Sequence, residues 1–247
     1  MDTRFINACE KIIDTERQRE GIGTLSEKTL HAVLKNYFEP DEAKQEIKVG
    51  SFYADIINEK GIIEIQTRHF DKMRKKLDAF LNDNTVTIVC PVIRLKYLSW
   101  IDIETGAITS RRKSPKAGMP YAIFPELYKI KSFLSHPNLK LCIAMIDVEE
   151  YRNLNGWSEN KKRGSSRHDQ IPIGIHEEIY INSLEDYKKL IPPNLEENFT
   201  SKDYKKASKQ SLSTSQTALN ILNYLGVVER ISKQGNLFVY KIKSSTN

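Results

Sequence analysis

The chain has 247 residues, 38 Lys+Arg against 32 Asp+Glu, five His, three Cys and 39% hydrophobic residues. This composition excludes a disordered chain, no apolar run approaches the roughly 18–20 residues of a membrane span, and the length suits one large domain or a medium domain with a small one. The net charge of +6 is carried by the segment from Thr200 onward, where eight basic residues face two acids, while the preceding body is balanced at 30 of each.

The spacing predicts a helix over Phe5–Gln18, broken by Gly21-Ile22-Gly23, and a second that Thr24 or Ser26 caps and that runs to about Phe38. Three short strands follow, roughly Gln45–Val49, Phe52–Asn58 and Ile62–Thr67, separated by turn signals at Gly50 and Asn58-Glu59-Lys60-Gly61. Helical spacing returns over Asp71–Leu81. Val86–Ile93 reads as a buried strand with Tyr97–Ile103 paired beside it. Thr109–Pro120 reads as a basic loop, Tyr121–Leu134 as a helix and Leu139–Val148 as a continuous apolar strand. Gly156–Asp169 is a second basic loop, suited to touching phosphates. Ile171–Ile181 reads as extended and Leu184–Ile191 as a short helix before Pro192-Pro193, the best linker in the chain. Domains are therefore expected at 1–192 and 193–247.

The chemistry concentrates between Leu25 and Arg68. Asp55 lies inside Tyr53-Ala54-Asp55-Ile56-Ile57 and Glu64 inside Ile62-Ile63-Glu64-Ile65-Gln66. An acid within an apolar strand is costly to bury without a partner. Pairing about Lys60-Gly61 brings Asp55 near Gln66 and Glu64, and Glu64 and Gln66 share a face. The preceding helix brings Glu27 toward that face, with His31 one turn on. Carboxylates gathered at a sheet edge make a hard oxygen site suited to Mg²⁺ or Mn²⁺ and to phosphodiester hydrolysis. The bland alternative is an edge hairpin whose acids face solvent by alternation; the continuous apolar flanks argue against it.

The order helix–strand–strand–strand–helix–strand with Glu27, Asp55 and Glu64-Ile65-Gln66 resembles the PD-(D/E)XK, or restriction endonuclease-like, nuclease superfamily, over about Thr24–Val92. The resemblance implies an α/β core of mixed sheet flanked by helices. It also implies a metal bound by Asp55, Glu64 and the main-chain carbonyl of Ile65, and catalytic roles for Glu27, Asp55, Glu64 and Gln66. Most members carry Lys where this chain has Gln66. Arg68, Lys75 or Lys76 are the candidates to supply that cation.

Past the linker, a short helix capped by Thr200 or Ser201, a second from about Ser213 to Leu225, and two β runs, Val227–Ile231 and Leu237–Ile242, resemble a winged helix-turn-helix domain over Glu197–Lys243. That family presents its second helix to the DNA major groove. The implied DNA-binding residues are Ser213, Thr214, Gln216, Thr217 and Asn220, with Lys233 and Gln234 at the wing tip.

The odd, scattered Cys9, Cys90 and Cys142 read as small core residues in a reducing compartment, and the charged N-terminal pattern is unlike a signal peptide. The expectation is a cytoplasmic, Mg²⁺-dependent DNA endonuclease with DNA as partner, no membrane and a homodimer left open. The alternatives are a non-catalytic DNA-binding regulator on a degenerate nuclease core, or an RNA-processing nuclease.

Overall fold

The computed structural model describes residues 2–20, 28–155 and 166–243, and only the backbone of 14–20 and 28. It is mixed α/β. In chain order come helices α1 (Thr3–Glu20) and α2 (Lys28–Phe38) and strands β1 (Gln45–Val49), β2 (Phe52–Asn58) and β3 (Gly61–Ile65). Then follow α3 (Arg74–Phe80), β4 (Val86–Ile101), β5 (Arg112–Lys113), α4 (Phe124–Lys129), β6 (Leu139–Asn153) and β7 (Ser166–Ile181). The chain closes with β8 (Asn198–Thr200), α5 (Ser201–Ser208), α6 (Leu212–Tyr224), β9 (Val228–Gln234) and β10 (Leu237–Ile242). One seven-stranded sheet runs β1-β2-β3-β4-β6-β7 with β5 added beside β4; a three-stranded sheet runs β8-β10-β9. No described helix is long and apolar enough to cross a membrane.

Contacts divide the chain into two compact units, one of residues 1–47, 93–118 and 144–178 and the other of 48–92, 119–143 and 179–247. In the first unit, Phe5 and Ala8 of α1 pack against Val33 and Tyr37 of α2, and Cys9, Ile12, Phe38 and Ile175 surround them. Strand β4 brings Arg94 and Lys96 against the acids of β6. Arg94 grips Asp147 at 2.9 and 2.5 Å, and Lys96 meets the buried Glu150 at 2.6 Å.

In the second unit β2 and β3 are antiparallel, pairing Ile56 with Ile63 and Asn58 with Gly61, while β3 and β4 are parallel, pairing Ile62 with Val86 and Ile65 with Val89. The turn between β2 and β3 needs glycine twice over. Gly61 sits at φ +101, and a Cβ there would lie 2.4 Å from the Thr85 carbonyl oxygen that accepts the Ile62 amide. Cys90 and Cys142 are buried core thiols of this unit.

Several local expectations change. Tyr97–Ile103 is not a neighbouring strand: the chain runs unbroken through β4 to Ile101, because Arg94 and Lys96 find acids on β6 and no turn is needed. Tyr121–Leu134 is not one helix. Pro120 and Pro125 start a 3-10 turn and the six-residue α4, and a further 3-10 turn follows at Lys131–Phe133. The 156–165 part of the second basic loop lies outside the described residues, and Ser166–Asp169, expected as loop, is strand. The expected boundary at Pro192-Pro193 falls within the second unit. The buried Tyr204 hydroxyl donates to the Leu190 carbonyl at 2.7 Å and its ring meets Tyr121 edge-on, so 193–247 belongs to the second unit. Thr200 caps α5 in a reciprocal capping box with Asp203.

Candidate active site

Strands β2 and β3 carry Asp55 and Glu64 to adjacent places because the tight turn at Gly61 fixes their register. Two main-chain amides lock the pair. The Ile65 N–H donates to Asp55 Oδ2 at 2.8 Å, and the Asp55 N–H donates to Glu64 Oε1 at 3.3 Å. Each acid is thus oriented by the backbone that carries the other. Lys76, on α3, donates from Nζ to the second Glu64 oxygen at 2.5 Å, and its ammonium lies 5.6 Å from the centre of the Phe80 ring.

Glu64 is 3% exposed. Burial and the neighbouring charge of Asp55 push its carboxyl up to about 7, against the opposing pull of Lys76. A buried acid raised this far, next to a second acid and a lysine, is short of positive charge. A hard divalent cation would supply it, and the hard oxygens of adjacent strands suit one. Among the described residues no group of three or more His, Cys, Asp and Glu side chains gathers around one point. A metal here would therefore rest on two side chains and, as the resemblance implies, the main-chain carbonyl of Ile65 next to Glu64.

Sequence reasoning left the cation open among three residues, and the structure brings Lys76 to Glu64. Gln66 follows the end of β3. Its amide N–H extends the parallel ladder to the Val89 carbonyl, and its side-chain amide donates to the Arg68 carbonyl, so it is turned to its own loop. Glu27 lies outside the described residues. His31 is half-buried on α2, in the first unit.

The second expected site is reached by the elements β8-α5-α6-β9-β10. Ser211 caps α6 by accepting the Thr214 N–H at 3.0 Å. Ser213 and Gln216 are exposed and Thr214 and Thr217 half-buried, the Thr217 hydroxyl donating back to the Ser213 carbonyl at 3.0 Å. Asn220 is engaged: its Oδ1 accepts from Lys131 Nζ at 2.8 Å. Lys233 and Gln234 are exposed beside the Gly235 turn, with the Lys233 ammonium 5.0 Å from the Phe238 ring centre. Lys131 and Tyr224, absent from the sequence reading, are the additions at this surface. The step from Asn220 to Tyr224, one helical turn along an outward face, hints at Tyr224 in the sequence, and nothing there points to Lys131.

The family model described as Domain of unknown function (DUF8091) matches residues 28–182. A protein of Treponema pallidum (strain Nichols), described as "Uncharacterized protein", is 30% identical over 168 residues, which are 68% of this chain and 64% of the relative. The chain thus spans less than two thirds of that relative's length. No solved structure matches.

Proposed function

The chain belongs to the DUF8091 family, and on the geometry of its strand acids we propose that it is a metal-dependent DNA endonuclease with a PD-(D/E)XK-like core and a C-terminal winged-helix segment. The observation that carries the reading is the locked pair Asp55–Glu64 with Lys76 on Glu64. It sits on an antiparallel β2–β3 hairpin followed by α3 and a β4 parallel to β3, the order of that superfamily. The three-stranded order β8-β10-β9 around α5 and α6 supports the winged-helix part.

A divalent ion held by Asp55, Glu64 and the Ile65 carbonyl would polarise the phosphate and acidify a water. The protein's own contribution is orientation. The Ile65 amide holds Asp55, the Asp55 amide holds Glu64, and both acids present oxygens without rotameric search. Lys76 brings to the site the positive charge that most members carry at the position of Gln66, where it can offset charge on the phosphate.

The regulator reading keeps one observation in its favour: Glu64 already has an ammonium partner, and the Gln66 amide is spent on Arg68. Cleavage assays on linear, branched and single-stranded DNA with Mg²⁺ and with Mn²⁺ decide between them. The expected result is cleavage by the wild type and none by Asp55→Asn or Glu64→Gln. Full activity in either purified variant discards the site. An inert wild type that still binds DNA returns the regulator.

A further inference from the structure

The outward row of α6 is Ser213, Gln216, Asn220 and Tyr224, one stripe at helical spacing. Its C-terminal half is occupied. Lys131, just past α4, bonds Asn220 at 2.8 Å and places its ammonium 4.4 Å from the Tyr224 ring centre and 5.9 Å from that of Tyr128. The helix carries no basic residue, and of the two amides on its outward row, Gln216 and Asn220, the second is engaged by a lysine. Insertion into a major groove would have to break this arrangement. The rings themselves remain half open, Tyr128 51% exposed and Tyr224 50%.

We propose that Tyr128, Lys131 and Tyr224 form a stacking platform for an unpaired nucleic-acid strand, so that the preferred substrate carries a single-stranded segment beside the cleavage point. Two open rings around one ammonium match what such a strand offers, π-faces on the bases and negative charge on the phosphates. The charge continues toward the candidate active site. The segment Arg68–Lys76 carries five basic residues against one acid. Within it Arg74 Nε donates to the Lys129 carbonyl at 2.6 Å, joining α3 to the end of α4, and two residues on, Lys76 reaches Glu64 at 2.5 Å. Platform and acid pair thus lie in one compact unit, joined through the Arg74–Lys129 bond and the short stretches of chain on either side of it. As a statement about a substrate, the proposal rests on the nuclease reading; the binding surface can be tested without it.

The test uses the full chain in EDTA, so that no cleavage is read, with fluorescence anisotropy on a labelled oligothymidylate of about 15 nucleotides and on a duplex of equal length. Tyr128→Ala/Tyr224→Ala should weaken oligothymidylate binding by about tenfold or more, as expected for lost base stacking, and leave duplex binding within about twofold. Tyr128→Phe/Tyr224→Phe should bind like the wild type, since stacking needs the ring and not the hydroxyl. Circular dichroism on each variant confirms that the fold is kept. Equal oligothymidylate binding by wild type and the alanine variant overturns the platform, as does a parallel loss on both substrates, and neither result touches cleavage that depends on Asp55 and Glu64. A wild type inert in every cleavage assay that still needs both rings to bind the oligothymidylate supports the platform and removes the nuclease reading alone.

Discussion

Glu64 and Glu150, one in each compact unit, are the most deeply buried glutamates among the described residues, and they are treated in opposite ways. Glu150 is 1% exposed and surrounded by donors: Lys96 at 2.6 Å and Gln170 at 3.2 Å on one oxygen, and Arg152 at 2.6 and 2.7 Å on the other. Burial works against its charge, but the bonds from Lys96 and Arg152 outweigh it and hold the carboxyl below the usual range. Glu64, at 3%, has one lysine, one amide and a neighbouring acid, and its carboxyl rises to about 7. Burial alone therefore does not mark a functional acid. What separates the two is how far the surrounding side chains complete the charge.

The sharpest way to break this contrast is to neutralise each acid in turn. Glu64→Gln or Asp55→Asn should lower single-turnover cleavage by about 10³-fold, as for loss of a group that stabilises transition-state charge. Glu150→Gln should leave turnover near wild type and cost about 2–3 kcal/mol in urea unfolding, because Lys96 and Arg152 lose a charged partner yet keep some contact with water. If Glu150→Gln were the inactive variant and Glu64→Gln the unstable one, the assignment would be reversed.

Stability against pH should separate the pair next. In EDTA, Glu64 titrates near 4.5 unfolded and about 7 folded, so the native state holds its proton more tightly. The stabilisation is full below about 4.5 and is lost as pH rises through 7, a difference of about 3 kcal/mol. Glu150 has the opposite sign: its contribution is present above its unfolded value and fades as pH falls through its lowered folded value. Glu64→Gln should therefore be more stable than wild type at about pH 8 and show a flatter curve between about pH 5 and 8. A Glu64→Gln curve that follows wild type would show that Glu64 is not the titrating group.

Smaller effects belong to the groups beside the acids. Lys76→Met should slow cleavage by about 10- to 100-fold and move the acidic limb of its pH profile upward, since the one cation lowering Glu64 is gone. An unmoved limb would detach Lys76 from the site. Gln66→Ala should cost only about threefold, because its amide is spent on the Arg68 carbonyl. A loss as large as that of Lys76→Met would show that the amide turns inward during the reaction.

The acids of β2 and β3 were legible because apolar neighbours on both sides made them conspicuous, and because the Gly61 turn sets their register by itself. Lys76 was not separable from Arg68 and Lys75. A 3-10 turn at Phe70–Met73 leads straight into α3, and its different pitch shifts which side of the helix faces β3. The unbroken β4 was hidden for a related reason. Arg94 and Lys96 look like the end of a buried strand until their partners on β6, about fifty residues away, are known. On α6 the outward stripe was readable, but its cover was not, since Lys131 comes from a turn some ninety residues earlier.

The way the two compact units share the chain bears on how the protein is made. Each is assembled from three separate stretches, and β4, β6 and β7 pass from one unit to the other partway along their length. A chain emerging from the ribosome has neither unit complete until β7 is out, so the early helices and the β2–β3 hairpin must wait with their apolar faces uncovered. Such long-range pairing makes for slow acquisition of structure. No single continuous stretch of the chain contains either unit by itself.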